Sequence, residues 1–190
     1  HVWDSDPGGV PGGVIYGGSV VPVDAAAGWV GITPDGNYIV NVTGPGNENY
    51  SQFIDHKNQT ISPTPVMFWN LCGDHGDTIS ASNGKSYFIT ANCNNIPALY
   101  RVDITLNQAG RTPVQQSAAN QLLVPVTWND AGHFSCVGKG ANQDWCFYSV
   151  ESVNDSFDSS TAGWTAYRQE ILAMNVVTLE VRRLAHHRNR

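Results

Sequence analysis

Between residues 28 and 44 the chain reads GWVGITPDGNYIVNVTG, with apolar and polar positions alternating on both sides of Pro34-Asp35-Gly36. A period of two turns one face of a strand toward a core, and an Asp-Gly pair supplies the tight turn between two such strands. The segment predicts a β-hairpin. The pattern recurs in DTISASNGKSYFITANC (77–93), with Asn83-Gly84 at the turn, and more loosely in HFSCVGKGANQDWCFYSV (133–150). Tyr38, Tyr87 and Trp145 occupy the same place in the second strand of each copy, at steps of 49 and 58 residues.

A second element follows each hairpin: FIDHKNQT (53–60), LYRVDITLN (99–107) and ILAMNVVTLEVRRL (171–184). Each reads as a strand, a polar turn and often another strand. Asp55, Asp103 and Asn175 match one another, at steps of 48 and 72. The last step is longer because ESVNDSFDSSTAGWTAYR (151–168) is inserted; it is polar and Ser-rich, and reads as an exposed loop.

The unit is therefore about 50 residues long with roughly four short strands, the period of a β-propeller. One such sheet cannot bury both faces alone, so copies pack radially. Residues 1–27 form a Gly- and Pro-rich N-terminal segment with one possible strand in VIYGGSVVPV, and residues 28–190 hold the blades. About three and a half units fit the chain, fewer than the usual four to eight blades. The expectation is an all-β, propeller-type chain with an incomplete set of blades, completed by further chain or by another subunit. A β-sandwich is the alternative that the turn spacing permits.

The hairpin at Thr33-Pro34-Asp35-Gly36, with LYRVDITLN and EILAMNVVTLEVRRLAHHRNR, resembles the secreted bacterial TolB-like propellers over roughly residues 28–190. These carry an SPDG hairpin and an outer strand of this type. The oligogalacturonate lyases share this propeller class and hold a metal with His and Gln residues near the ring centre. Those ligands do not map one by one onto this sequence. The resemblance implies the propeller fold and a secreted or periplasmic location, and it carries over no catalytic residue.

Hydrophobic residues make up 41% of the chain, enough for a core, while charged residues are only 14%. With 19 Gly and 10 Pro, this composition suits short strands and turns better than long amphipathic helices. The net charge of −6 argues against a nucleic-acid partner, which needs clustered cations to neutralise phosphate. Only the tail, with Arg182, Arg183, Arg188 and Arg190, has such a cluster. No apolar run is long enough to span a bilayer.

The four cysteines allow three pairings. Cys72 and Cys93 are symmetric about Ser82-Asn83-Gly84, and Cys136 and Cys146 about Gly140-Ala141-Asn142. Symmetry about a turn brings both members of a pair opposite each other, so two disulfides are expected, with free buried thiols as the alternative. Disulfides would indicate an oxidising compartment. Asn-x-Ser/Thr occurs at Asn41, Asn49, Asn58 and Asn154, and a chain this rich in Asn yields some by chance.

The histidines are the best candidates for chemistry. His75 and His133 each sit where a unit's inner strand begins, and equivalent positions of neighbouring blades approach one another. His75, Asp77 and His133 are the candidate metal site, since imidazole with carboxylate suits Mn, Zn or Fe. The competing reading is that both histidines cap turns. His186, His187 and Arg188 are candidates for an anionic sugar, and Trp164 with Tyr167 for an exposed stacking contact. His1 at a free N-terminus would offer the amine and ring nitrogen of a copper histidine brace.

The functional expectation is a secreted or periplasmic module that binds a carbohydrate or a protein. The alternatives are a metal-dependent polysaccharide lyase, with Mn or Ca as its cofactor, and a copper-dependent polysaccharide oxidase built on His1. The binding module needs no cofactor.

Overall fold

Alternation and turn glycines translate into strands joined mostly to their sequence neighbours. The computed structural model describes residues 2–4, 13–16, 19–22, 27–43, 48–71, 75–92, 97–126, 132–136, 138–150, 167 and 169–186; residues 2–4, 13–16, 19–22, 27–29, 43 and 92 are described by backbone alone. The N-terminal segment contains three strands rather than one, β1 (Val2–Asp4), β2 (Gly13–Tyr16) and β3 (Ser19–Pro22), paired in a sheet of their own.

The first repeat unit comprises β4 (Ala27–Ile32), β5 (Tyr38–Thr43), β6 (Asn49–Asp55), β7 (Thr60–Ile61) and β8 (Val66–Trp69), with β7 and β8 both pairing to β6. The second comprises β9 (Gly76–Ser80), β10 (Ser86–Asn92), β11 (Ala98–Asp103) and β12 (Gln121–Pro125), with helix α1 (Pro113–Ala119) between the last two strands. The third comprises β13 (Gly132–Ser135), β14 (Trp145–Val150), β15 (Glu170–Asn175) and β16 (Val181–His186). The second and third are four-stranded antiparallel meanders in simple sequence order.

The turns account for the repeat. Gly36 and Gly84 both have φ of +77°, a region that costs a residue with a Cβ roughly 1–2 kcal/mol. Each glycine N–H closes the turn onto the carbonyl three residues back, Thr33 at 2.7 Å and Ala81 at 3.0 Å. The matched positions that end the third strand do the same job in all three units. Asp55 Oδ1 accepts the N–H groups of Lys57 and Asn58, both at 3.0 Å. Asp103 Oδ1 accepts that of Thr105 at 3.0 Å, and Asn175 Oδ1 those of Val177 at 3.0 Å and Thr178 at 2.8 Å. A side-chain oxygen bonding its own backbone two or three residues on makes a turn independently of the rest of the fold.

The sheets of the three repeat units pack face to face in sequence order. One cluster joins Val40 and Val42 of β5, with Phe68 and Trp69 of β8, to Phe88, Ala98, Tyr100 and Val102 of the second sheet. The other joins Ile79, Tyr87, Ile89 and Leu99 of the second sheet to Cys146, Tyr148, Val150, Leu172 and Met174 of the third. Alternate residues of β10 thus serve opposite junctions: Phe88 faces the first sheet, and Tyr87 and Ile89 face the third. Burying each large apolar side chain stabilises by about 1.5–3 kcal/mol.

Helix α1 is the element that the alternation did not predict. Its signal is present in the sequence: Thr112 caps the helix, Pro113 follows, and Gln115 completes a capping box. The helix is pinned by the buried Gln116, which donates to Asn70 Oδ1 at 2.6 Å. Of the polar insert at 151–168, Tyr167 lies within the described residues.

Candidate functional site where two inner strands begin

His75 immediately precedes β9 and His133 is the second residue of β13. The two strands lie side by side across the junction between the second and third sheets. The imidazoles meet there edge to face, with ring centroids 4.9 Å apart and planes at 76°. Both side chains are exposed.

Glycines beside each histidine set this approach. A Cβ on Gly76 would stand 2.3 Å from the Phe88 ring, and one on Gly132 would stand 1.9 Å from the Ser149 carbonyl oxygen. Both strands therefore begin with backbone pressed onto the next strand, which a larger residue would lift away. The His75 carbonyl also accepts the hydroxyl of the buried Thr90 at 2.8 Å, fixing the segment to β10.

Asp77 plays a different part. Its Oδ2 accepts the Cys136 N–H at 2.7 Å and its Oδ1 accepts the Thr78 N–H at 2.8 Å. The carboxylate is a strut from the second sheet to the third. Among the described residues, no group of three or more His, Cys, Asp or Glu side chains is placed to hold a metal ion. The structure brings His75 and His133 together, and it joins Asp77 to the backbone across the same junction.

The other candidates are scattered. His186 lies on β16, exposed and opposite Glu170. Tyr167 is half-buried against the core between the second and third sheets, with the Arg183 guanidinium 5.6 Å from its ring centre. His1, Trp164, His187 and Arg188 lie outside the described residues. Cys136 and Cys146 form a disulfide at the loop end of the third sheet's first hairpin, one step beyond the Ser135–Phe147 pair. Cys72 and Cys93 lie outside the described residues.

The acidic turns have their own electrostatics. Burial opposes ionisation of Asp35, but donors from Thr33, Asn37 and Ser86 outweigh it and hold the carboxyl below the ordinary 3.8. Ser86 belongs to the second sheet and donates to Asp35 Oδ2 at 2.9 Å, so this turn also bridges two sheets. Asp103 is lowered in the same way, burial being outweighed by Thr105 and Lys85. The half-buried Asp55 is lowered chiefly by the Asn58 backbone N–H.

Sequence reasoning missed a surface on the third sheet. Trp145, Phe147 and Arg182 lie on the side of that sheet away from the shared core, with Arg182 4.7 Å from the Trp145 ring centre. Strand parity held the clue: Cys146, Tyr148 and Val150 are the buried set, so their neighbours point the other way.

No helix among the described residues is long and apolar enough to cross a membrane. Comparison with protein-family models, with curated proteins and with solved structures found no match for the chain.

Proposed function

We propose that the chain is a run of β-propeller blades from a secreted or periplasmic protein, and that it works as a carbohydrate-binding module. The ligand sits at the end of the molecule where the inner strands begin. One observation carries this reading: His75 and His133, 58 positions apart in sequence, meet as two exposed imidazoles at a junction between sheets. Paired imidazoles offer both donors and acceptors to vicinal hydroxyls. Repeated meanders packed face to face, and the likeness of the Asp35 hairpin to TolB-like propellers, support the blade reading. The disulfide is consistent with an oxidising compartment. The test is a glycan array followed by calorimetry on the best ligand. The double variant His75→Ala/His133→Ala should bind at least tenfold more weakly with unchanged circular dichroism. Absence of any glycan ligand, or full affinity in the variant, overturns the reading.

The second reading is a metal-dependent polysaccharide lyase, and the closeness of the two imidazoles is the observation that supports it. Two imidazoles whose ring centroids lie 4.9 Å apart are near enough to reach one metal ion. Asp77 oxygens retain lone pairs beyond those given to backbone N–H groups. One equivalent of Mn or Ca in the purified protein, with cleavage of polygalacturonate that chelation abolishes, would establish this reading in place of the first. Metal-free protein without such cleavage removes it.

A further inference from the structure

The four Asn-x-Ser/Thr sites are equivalent in sequence and unlike in the fold. Asn49 is fully buried at the start of β6, its amide donating to the Trp69 carbonyl at 3.0 Å. Asn41 lies within β5 between Val30 and Tyr50 of the flanking strands, and its amide oxygen is buried. Asn154 lies outside the described residues. Asn58 stands on the turn between β6 and β7, where His56, Lys57, Asn58, Gln59 and Thr60 are all exposed.

We propose that Asn58 is a site of N-linked glycosylation when the chain passes through a secretory pathway, and that Asn41 and Asn49 are not. The donor class is a lipid-linked diphosphate oligosaccharide. The bond from the sugar C1 to the diphosphate oxygen breaks, and a bond from C1 to Asn58 Nδ2 forms. One amide proton passes to a base, and the lipid diphosphate leaves.

The turn tolerates this attachment. Asn58 Nδ2 carries two hydrogens and donates one of them to Asp55 Oδ2 at 2.7 Å. The sugar replaces the other, so the turn keeps its side-chain bond, and Asn58 N–H to Asp55 Oδ1 at 3.0 Å is untouched. A glycan is bulky and needs a surface position. The same transfer at Asn49 would place a sugar where the amide is sealed against Trp69. At Asn41 it would place one in the middle of a three-strand ladder. Chains modified there could not form the first sheet, so folded secreted protein should not contain them.

The test is secretion of the full chain from insect or yeast cells, with monodispersity and circular dichroism confirming a folded product. Enzymatic release of N-glycans converts each occupied Asn to Asp, and peptide mapping then locates it. Expected is conversion at Asn58 in most of the product, with none at Asn41 or Asn49. Thr60→Ala should abolish the conversion at Asn58 while leaving the Asp55 turn and the circular dichroism intact. An unoccupied Asn58 in folded secreted wild type, or a glycan on Asn41 or Asn49, overturns the proposal. Neither result depends on whether the protein binds carbohydrate at His75 and His133.

Discussion

The second and third sheets present the same face to different surroundings. On the second, Tyr87 and Ile89 of β10 and Leu99 of β11 are buried against the third sheet. On the third, Trp145 and Phe147 occupy the matching strand positions, yet Phe147 is 36% exposed and the whole of β16 is exposed. Each face even holds an arginine over its aromatic residue, Arg101 over Tyr87 and Arg182 over Trp145, both 4.7 Å from the ring centre. Their partners differ. Arg101 also donates across the junction to the Val176 carbonyl of the third sheet, whereas Arg182 pairs with Glu180 beside its own strand. One sequence pattern thus gives core on one sheet and surface on the next. What differs is whether another sheet lies on top.

The comparison breaks most directly at matched positions. Ile89→Ala should cost about 2–5 kcal/mol, because a fully buried side chain leaves a cavity, while Phe147→Ala should stay within about 1 kcal/mol. Urea denaturation measures both. Equal losses would mean that the third sheet's outer face is covered in solution. The covered side of the third sheet depends on its disulfide as well. Cys136→Ser/Cys146→Ser closes no loop in the unfolded chain and should cost roughly 3 kcal/mol, read as a lower denaturation midpoint than the oxidised parent. A midpoint unmoved by the change would show that the hairpin is held without the bond.

The two arginines give a smaller contrast. Arg101→Ala should lose about 1.5–3 kcal/mol, the usual worth of a charged hydrogen bond to a partly buried acceptor. Arg182→Ala should leave the melting temperature within experimental error, since solvent screens an exposed pair. A drop for Arg182 comparable with that for Arg101 would contradict the assignment of one face as core and the other as surface. The smallest effect concerns pH at the junction between the first two sheets. Asp35 and Asp103 titrate below 3.8 in the folded protein. Their contribution is therefore present above that value and is lost as pH falls through the folded values. Melting temperature should decline below about pH 4, and Asp35→Asn should flatten that decline. An unchanged slope in the variant would place the acid sensitivity elsewhere.

Much of the architecture was legible because turns are local chemistry. Asp35-Gly36 and Asn83-Gly84 bend the chain whatever surrounds them, and Asp55, Asp103 and Asn175 bond their own backbones. The Cys136–Cys146 pairing followed from the same symmetry about a turn. Helix α1 carries no periodic signal, since its seven residues are too few for a period of 3.6 to emerge; the Thr112–Gln115 capping box and Pro113 mark it. Before residue 27 glycines obscure the alternation, so that three strands give the pattern of one.

The site divides along the same line. That His75 and His133 stand where successive strands begin follows from repeat position, which is a property of the chain alone. Long-range packing sets their rings 4.9 Å apart, gives each Asp77 oxygen a backbone N–H from Cys136 or Thr78, and leaves Asn58 open while Asn49 is sealed. Alternation assigns a residue to one face of a strand. Which of the two faces is covered depends on a sheet folded from residues tens of positions away, and no local pattern encodes that contact.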